Sequence, residues 1–454
     1  MKRHSIIARL GPTDTTRIKP HERGSQVTEV RYIDGKRRLG YKLGAFLNQL
    51  NRRGVFPSDE AVDLGLLAAT VTAADTRISR QSDAQDSWTR EIDLYVPVRE
   101  PDLWSERTEL IERTLNFLTG DRWRIYFRSR HRDYREIVQA PDELIEAPFD
   151  SVCLFSGGLD SLVGAIDLLE EGRSPLLVSH YWDASTSSQT VCAQKLGTVY
   201  GDIEPRHVRA RIGFEKGLVA SSSAENTLRG RSFLFFAMAV MAVSGLSGGA
   251  PVYVPENGLI SLNIPLDPLR IGACSTRTTH PFYMARWNEL LTSLGIQTAL
   301  DNPYRFDTKG EMLENCQNKE LLRKCVADTI SCSSYDKGRW KKLSPGHCGY
   351  CVPCLIRRAS IEKALGSDPT TYPAMPSLTA RTLDAGKAEG EHVRSFQMMS
   401  RRLKRQPRMA SILVHKAGPL SDYTDDDVAL FANVFRRGIK EVDELVRNCV
   451  VRPL

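Results

Sequence analysis

A chain of 454 residues is long for one domain and comfortable for two or three. Its 41% hydrophobic and 26% charged residues exclude a disordered or fibrous protein. A net charge of +7, from 62 basic and 55 acidic residues, permits a nucleotide or nucleic-acid partner without demanding one.

In chain order, residues 1 to about 149 read as mixed helix and strand, an α+β domain. The charged N-terminus "MKRHSIIARLGPTD" has too brief an apolar part for a secretory leader, so a cytoplasmic location is expected. A helical pattern covers about 59–74. "EIDLYVPV" (91–98) and "RWRIYFRSR" (122–130) alternate like half-buried strands. Between them "ERTELIERTLNFLTG" has helical spacing and ends on Gly120. "APFD" (147–150) marks a boundary.

From 151 the texture changes to alternation: strand "SVCLF", turn "SGGLDS", and a helix that stops at Gly172. Strand "PLLVSHYW", a helix at about 187–200, strand "RHVRARI", a long helix at about 225–245 and strand "PVYVPE" follow. Such alternation predicts a parallel sheet, with ligands at the carboxyl ends of its strands. The run "FLFFAMAVMAVSGL" (233–246) is too short for a bilayer and reads as a core helix, so no membrane partner is expected. The tail from about 368 reads as helical. It carries a basic run, "RRLKRQPR" (401–408), and an acidic helix start, "SDYTDDD" (421–427). The basic run fits a phosphate backbone or a solvated helix face equally well, so a nucleic-acid partner is open but unsupported.

The turn at 156–161 carries the first chemistry. A strand-to-helix turn offers backbone N–H groups and the helix dipole to an anion. Gly157 and Gly158 let the backbone approach phosphate oxygens, Ser156 and Ser161 add hydroxyls, and Asp160 is expected to position magnesium. No lysine follows the glycines, so this is not the Walker spacing. "SGGLDS" resembles the PP-loop of the ATP-pyrophosphatases. That resemblance implies a PP-loop fold of the adenine nucleotide alpha hydrolase type, with ATP cleaved between its α and β phosphates. Phe155, Ser156, Gly157, Gly158, Leu159, Asp160 and Ser161 form the expected nucleotide-binding segment.

"SPGHCGYCVPCLIRR" (344–358) supplies Cys348, Cys351 and Cys354, three of the chain's ten cysteines. Zinc requires a fourth ligand, and Cys332 in "TISCSSYD" is the candidate. His347 is the substitute, made awkward by its neighbour Cys348. The expected site is structural, without chemistry of its own.

Together "FSGGLDS" and "SC…CGYCVPCLIRRASIEKAL" resemble the 7-cyano-7-deazaguanine synthase family, QueC, over about 150–365. Arg357 sits where the family arginine would. "FDTKGEML" (306–313) and "LRGRSFLFFAMAV" (228–240) also resemble family segments, with Ser232 for an asparagine. Flanks of this length resemble the extended QueC-like proteins of bacterial anti-phage operons. The resemblance implies three parts: an N-terminal domain (1–149), a QueC-like ATP-binding domain with a zinc knuckle (150–367) and a C-terminal helical extension (368–454). It implies a ligase-like enzyme that uses ATP, Mg2+ and Zn2+ and adenylates a carboxylate, that of 7-carboxy-7-deazaguanine. The acyl group then passes to an amine, ammonia or an amine of a partner protein from the same operon. Asp160 and Arg231 are the expected catalytic residues, and Glu256, Asn257 and Lys309 the expected substrate contacts, with Glu311 beside Lys309. In "SHYWDASTSSQT" the family's Arg-His pair is missing and Trp182 and Asp183 are new.

Two other readings stay open at this point. An RNA-thiolating relative would need a reactive cysteine, and Cys153, Cys192 and Cys274 carry no mark of activation. A nucleotide-binding subunit without turnover would have little need of the intact turn. No general base is assigned, although His180 and His280 are the best placed.

Overall fold

The short run "RHSIIAR" builds a buried strand, Arg3–Arg9, at the centre of a four-stranded sheet. In the computed structural model, residues 2–453 are described except 35–37, 85, 139–146, 182–184, 221, 226, 268–276 and 336–342. Gln26–Arg31 and Glu91–Val98 flank the central strand, Arg122–Ser129 lies outside, and all pairs are parallel. The helices Asp59–Arg77 and Thr108–Thr119 connect the later strands. Ser58 caps the first, with Asp59 and Glu60 in its first turn. Gly120, at φ +74°, ends the second. Helix and strand are mixed here as expected, and the sheet is parallel throughout.

The second sheet has five parallel strands in the order Leu300–Asp301, Val252–Tyr253, Ser151–Leu154, Pro175–His180, His207–Ala210. Chain order reverses between Ser151–Leu154 and Val252–Tyr253. A ligand crevice opens outside the carboxyl ends at such a reversal. The turn 156–161 and the segment 256–257 both leave the sheet there.

The apolar run at 233–246 forms the buried helix Arg231–Ser244, packed against Asp59–Arg77 in a hydrophobic core that extends between the two sheets. This helix starts six residues later than its periodicity suggests. Leu228 takes a left-handed backbone, φ 48°, and the Gly230 N–H donates to Asp75 Oδ2 at 2.7 Å. The Arg80 N–H donates to Glu225 at 2.8 Å, so the approach to the helix is held by the N-terminal region. Asp75 belongs to a buried ion cluster with Arg80, Arg90 and Asp121; Arg90 Nη2 lies 2.7 Å from Asp75 and 2.6 Å from Asp121.

The C-terminal part is helical as expected, with Ala388–Arg405, Met409–Leu413 and Asp425–Val446 around a core shared with Gly258–Leu262 and Val352–Leu365. The acidic start is a capping box, Thr424 with Asp427. In the basic run Arg401, Arg402, Arg405 and Arg408 are exposed, and Lys404 pairs with Asp443 at 2.6 Å. No described helix is long and apolar enough to cross a membrane.

The extension supports the turn before Lys309. Glu441 accepts from Thr308 Oγ1 at 2.8 Å and from the Gly310 N–H at 3.0 Å. Thr308 and Glu311 form a capping box, and Arg437 binds Glu311 at 2.6 Å. Thr308→Ala removes the cap and the Glu441 contact, and is expected to lower stability by about 1–2 kcal/mol in urea denaturation. An unchanged midpoint would refute this support.

Candidate active site

The strand Ser151–Leu154 delivers the chain to Ser156, and Gly158 is the N-cap of the helix Leu159–Glu170. No side chain caps this helix, so its first-turn N–H groups face the crevice without a capping partner. Gly157 has φ +80°, and a Cβ there would meet Gln189 Cγ at 3.0 Å and Ser188 Oγ at 3.1 Å. Its carbonyl accepts from Ser188 Oγ at 2.5 Å and from the Ile330 N–H at 2.9 Å. Ser156 Oγ and Ser161 Oγ lie 3.2 Å apart, with Ser161 donating to the Gly158 carbonyl at 3.0 Å. Gly157→Ala forces a side chain into a left-handed backbone, at about 1–2 kcal/mol. The expected result is about 10-fold weaker ATP binding with unchanged melting of the distant core. ATP binding equal to wild type in calorimetry would contradict the assignment.

Phe155 and Leu159 point away from the cradle. Both are fully buried, and the Phe155 N–H donates to the Val178 carbonyl at 2.8 Å. Leu159 therefore offers the crevice only its backbone, and Phe155 offers nothing.

Asp160, Glu256, Asn257 and Lys309 do come together, although 149 residues separate Asp160 from Lys309. The Lys309 ammonium pairs with Asp160 Oδ1. Asn257 donates to Asp160 Oδ2 from Nδ2 at 2.7 Å and from its backbone N–H at 3.3 Å. Glu256 hydrogen-bonds the same carboxylate. Its backbone is held by Asn302, which accepts from the Glu256 N–H at 3.3 Å and donates to its carbonyl at 2.8 Å. Burial works to raise Asp160, but the Lys309 charge and the hydrogen bonds outweigh it and hold the carboxyl down at about 2. Burial, followed by the Asp160 charge, drives Glu256 well above its ordinary 4.5. The two carboxyls are thus coupled, with the negative charge favoured on Asp160 and the proton on Glu256.

Asp160 is 5% exposed with both oxygens engaged inside the protein. It does not fit the magnesium-positioning role expected of it, and the positive charge beside it comes from Lys309. Glu311, the other acid of that segment, is consumed by the capping box and Arg437.

The raised Glu256 carboxyl makes a pH prediction. Protons bind it more tightly in the folded state, so its contribution to stability is fully present below 4.5 and declines as pH rises toward the folded value. Glu256→Gln keeps a hydrogen-bond donor for Asp160 and cannot ionise. Between pH 5 and pH 8 the variant should lose less stability than wild type, by about 1.4 kcal/mol for each unit the wild-type value is raised. Parallel stability curves across that range would refute the raised Glu256 carboxyl.

Arg231 begins its helix at the end of the neighbouring strand, where Nη2 donates to the His180 carbonyl at 3.4 Å. The Gln189 amide also reaches that carbonyl, at 3.4 Å, and the Ser156 carbonyl at 3.2 Å, linking Arg231 to the phosphate turn through one side chain. Ser188 and Gln189 were not singled out from sequence. Their signal is "SSQT", polar residues just after a strand end. Trp182, Asp183 and Cys274 lie outside the described residues.

Both candidate histidines are buried. His280 caps the helix Pro281–Ser293, its Nδ1 accepting from the Phe282 N–H at 3.2 Å, and burial lowers it to about 3. His180 is buried with Nε2 3.2 Å from the Ile212 carbonyl. Cys153 and Cys192 are buried, which pushes both thiols up to about 12, the opposite of an activated sulfur.

Cys332, Cys348, Cys351 and Cys354 gather as expected, all sulfurs within 4.8 Å of one another. The 332–351 and 348–354 pairs are 3.9 Å apart. Tetrahedral zinc with Zn–S of about 2.3 Å sets sulfurs about 3.8 Å apart, so the donor set and its spacing fit zinc. The Ser334 and Cys348 N–H groups lie 3.3 Å from Cys332 Sγ, as does that of Cys351 from Cys348 Sγ. His347 stands outside the cluster, its Nε2 accepting from the Ser331 N–H at 3.2 Å. Arg357 is fully buried and binds Thr329 Oγ1 at 2.8 Å and Thr370 Oγ1 at 3.1 Å. It ties the knuckle's helix to the segment that carries Ile330 and Cys332.

A parallel α/β sheet, a glycine turn at its reversal and a four-cysteine knuckle make a PP-loop fold, of the kind that ATP-pyrophosphatases use. The chain is 25% identical over 236 residues to the 7-cyano-7-deazaguanine synthase of Methanoregula boonei, covering 49% of this chain and 98% of that protein. It is 26% identical over 245 residues to the enzyme of that name from Cupriavidus taiwanensis, covering 49% and 97%. The match to that of Ralstonia nicotianae is 26% over 243 residues, covering 49% and 98%. No protein-family model matches the chain. About half of the chain is therefore QueC-like, and the rest has no counterpart in these relatives.

Proposed function

We propose that the chain is an ATP-dependent, ligase-like enzyme that adenylates a carboxylate, that of 7-carboxy-7-deazaguanine, releasing pyrophosphate. The observation that carries this reading is the uncapped glycine turn at the reversal of the sheet. There the helix Leu159–Glu170 begins without a side-chain cap, and the Ser156 and Ser161 hydroxyls lie 3.2 Å apart beside its first turn. A carboxylate oxygen attacks the α phosphorus, the bond to the β-phosphate oxygen breaks, and pyrophosphate leaves. An amine nitrogen then attacks the acyl carbon, AMP departs with the bonding pair, and the amine's proton passes to solvent. The protein positions the groups and stabilises charge. Ser156 to Ser161 hold the phosphates, and Arg231 is the proposed guanidinium for the phosphates or the substrate carboxylate. Glu256 and Asn257 form the wall toward the substrate, and Lys309 acts through Asp160. Magnesium, in this reading, arrives on the nucleotide rather than on Asp160. Zinc, when bound, serves folding.

The acceptor is ammonia or an amine of a partner protein; with ammonia the product is the amide, and the nitrile follows if the amide oxygen attacks a second ATP, pyrophosphate leaves, and AMP then departs with that oxygen as the nitrogen loses its protons to solvent. The flanks without counterpart in the relatives, about half of the chain, suit a macromolecular acceptor. With them the chain resembles QatC of the Qat anti-phage system, acting in the cytoplasm. The buried thiols of Cys153 and Cys192 offer no activated sulfur for the RNA-thiolating alternative. The test is ATP–pyrophosphate exchange with 7-carboxy-7-deazaguanine, followed by AMP release with ammonia or with candidate partner proteins. Exchange that requires the deazapurine supports the reading; none at any concentration rejects it.

A further inference from the structure

Asp160 is reached from two segments far along the chain: Glu256–Asn257, just before the helix Gly258–Leu262, and Lys309, which starts the helix Lys309–Asn315. The long helix Asp425–Val446 of the C-terminal extension packs against both of these helices. It meets the first through two glycines. A Cβ at Gly258 would meet Val434 Cγ1 at 3.1 Å, and one at Gly438 would meet Leu259 Cδ2 at 2.7 Å. Toward the second it presents Glu441.

Glu441 is buried, and both of its oxygens are engaged around Lys309. Oε2 accepts from Thr308 Oγ1 at 2.8 Å, one residue before the lysine. Oε1 accepts from the Gly310 N–H at 3.0 Å, one residue after it. The close approach needs Gly310, since a Cβ there would lie 2.6 Å from the Glu441 carboxyl carbon. Lys363 Nζ stands 3.4 Å from Oε2 as a counter-charge and 3.2 Å from Glu314. One carboxylate therefore holds the residues on either side of Lys309. From that fixed backbone the lysine side chain crosses to Asp160, in the first turn of the helix that follows the glycines. A lysine loses much rotamer freedom when its ammonium is fixed, so an anchored backbone favours the pair.

We infer that Glu441 is a positioning residue, which sets Lys309 against Asp160 and so makes the C-terminal extension a working part of the ATP site. It acts through Lys309 and not by contact with the nucleotide. The inference rests on the glycine turn as the ATP site, but the coupling it asserts is also readable without nucleotide.

The test is a double-mutant cycle on the full chain with Glu441→Ala and Lys309→Met. It is read by calorimetric ATP binding and, in parallel, by urea denaturation without nucleotide. Glu441→Ala should weaken ATP binding about 10-fold, the scale of hydrogen bonds to a charged group. The double variant should bind ATP no more weakly than Lys309→Met alone, because the lysine that Glu441 positions is already gone. A merely structural role makes the two losses multiply. In urea, Lys309→Met should lower the folding equilibrium constant at least about 10-fold less in the Glu441→Ala background than in wild type.

Glu441→Gln keeps an acceptor for Gly310 and a polar partner for Thr308, and should bind ATP within about threefold of wild type. Glu441→Asp keeps the charge but loses the reach, so it should fall close to Glu441→Ala; it carries the cycle if the alanine variant does not fold. Glu444→Ala, exposed on the same helix, should change neither readout. Losses that multiply in ATP binding, or a glutamine variant as weak as the alanine one, overturn the inference. If wild type binds no ATP, the ATP-site reading falls instead, and the urea cycle decides: additive losses there overturn the positioning role, and coupling keeps it.

Discussion

Cys351→Ser is expected to release zinc and to weaken ATP binding at a turn that contains none of the cysteines. The physical link is short. Cys332 lies two residues from Ile330, whose N–H donates to the Gly157 carbonyl at 2.9 Å. Ser331 between them is held by His347, and Thr329 by Arg357 at 2.8 Å. Without metal, four thiols crowd within 4.8 Å with no counter-charge. Apparent zinc affinities of about 10–16 kcal/mol in small zinc modules give the scale of folding energy at stake. The expected outcome is zinc content falling from about one equivalent to near zero. A loss of the local cooperative unfolding step and at least about 10-fold weaker ATP binding by calorimetry should accompany it. Chelation of the wild type should reproduce both effects, and a zinc-free protein that holds ATP as tightly as before would sink the coupling.

The second large effect is at Lys309. Lys309→Met keeps the bulk of the side chain and removes the ammonium that faces Asp160, leaving a carboxylate that is 5% exposed with only Asn257 and Glu256 as partners. Breaking a buried pair by removing one partner costs about 3–5 kcal/mol. Urea denaturation at pH 7 should show a loss of that size. The pH dependence has a definite sign. Asp160 is depressed below its ordinary 3.8, so its contribution is present above 3.8 and lost as pH falls through about 2. Removing Lys309 raises the carboxyl and reduces that contribution, so the variant's deficit should shrink in acid. Lys309→Met with Asp160→Asn should recover much of the stability, since no charge is then buried. A deficit under about 1 kcal/mol, or no recovery in the double variant, would show that Lys309 is not the counter-charge.

The glycine turn and the cysteine knuckle were legible because their chemistry is local. A left-handed residue at Gly157 and three thiols within seven residues need no knowledge of the rest of the chain. The strand–helix alternation after 151 was legible for the same reason, since periodicity is a property of neighbours. The central strand Arg3–Arg9 was missed because three short apolar residues in a charged stretch gain their burial from strands far along the chain. The late start of the helix Arg231–Ser244 has a similar cause, a hydrogen bond from the Gly230 N–H to Asp75 across 155 residues.

What the sequence determined by itself is therefore the class of chemistry: a phosphate turn, a zinc-type donor set and a parallel sheet to carry them. Tertiary structure alone decided the assignments within the site. It turned Asp160 inward onto Lys309, coupled Glu256 to the same carboxylate, and set Ile330 on the carbonyl of Gly157. It also set His180 on the Ile212 carbonyl and made His280 the cap of the helix Pro281–Ser293. The physical reason is that a residue type states what a side chain is able to bind, whereas burial and partners far away in the chain state which of those bonds it makes.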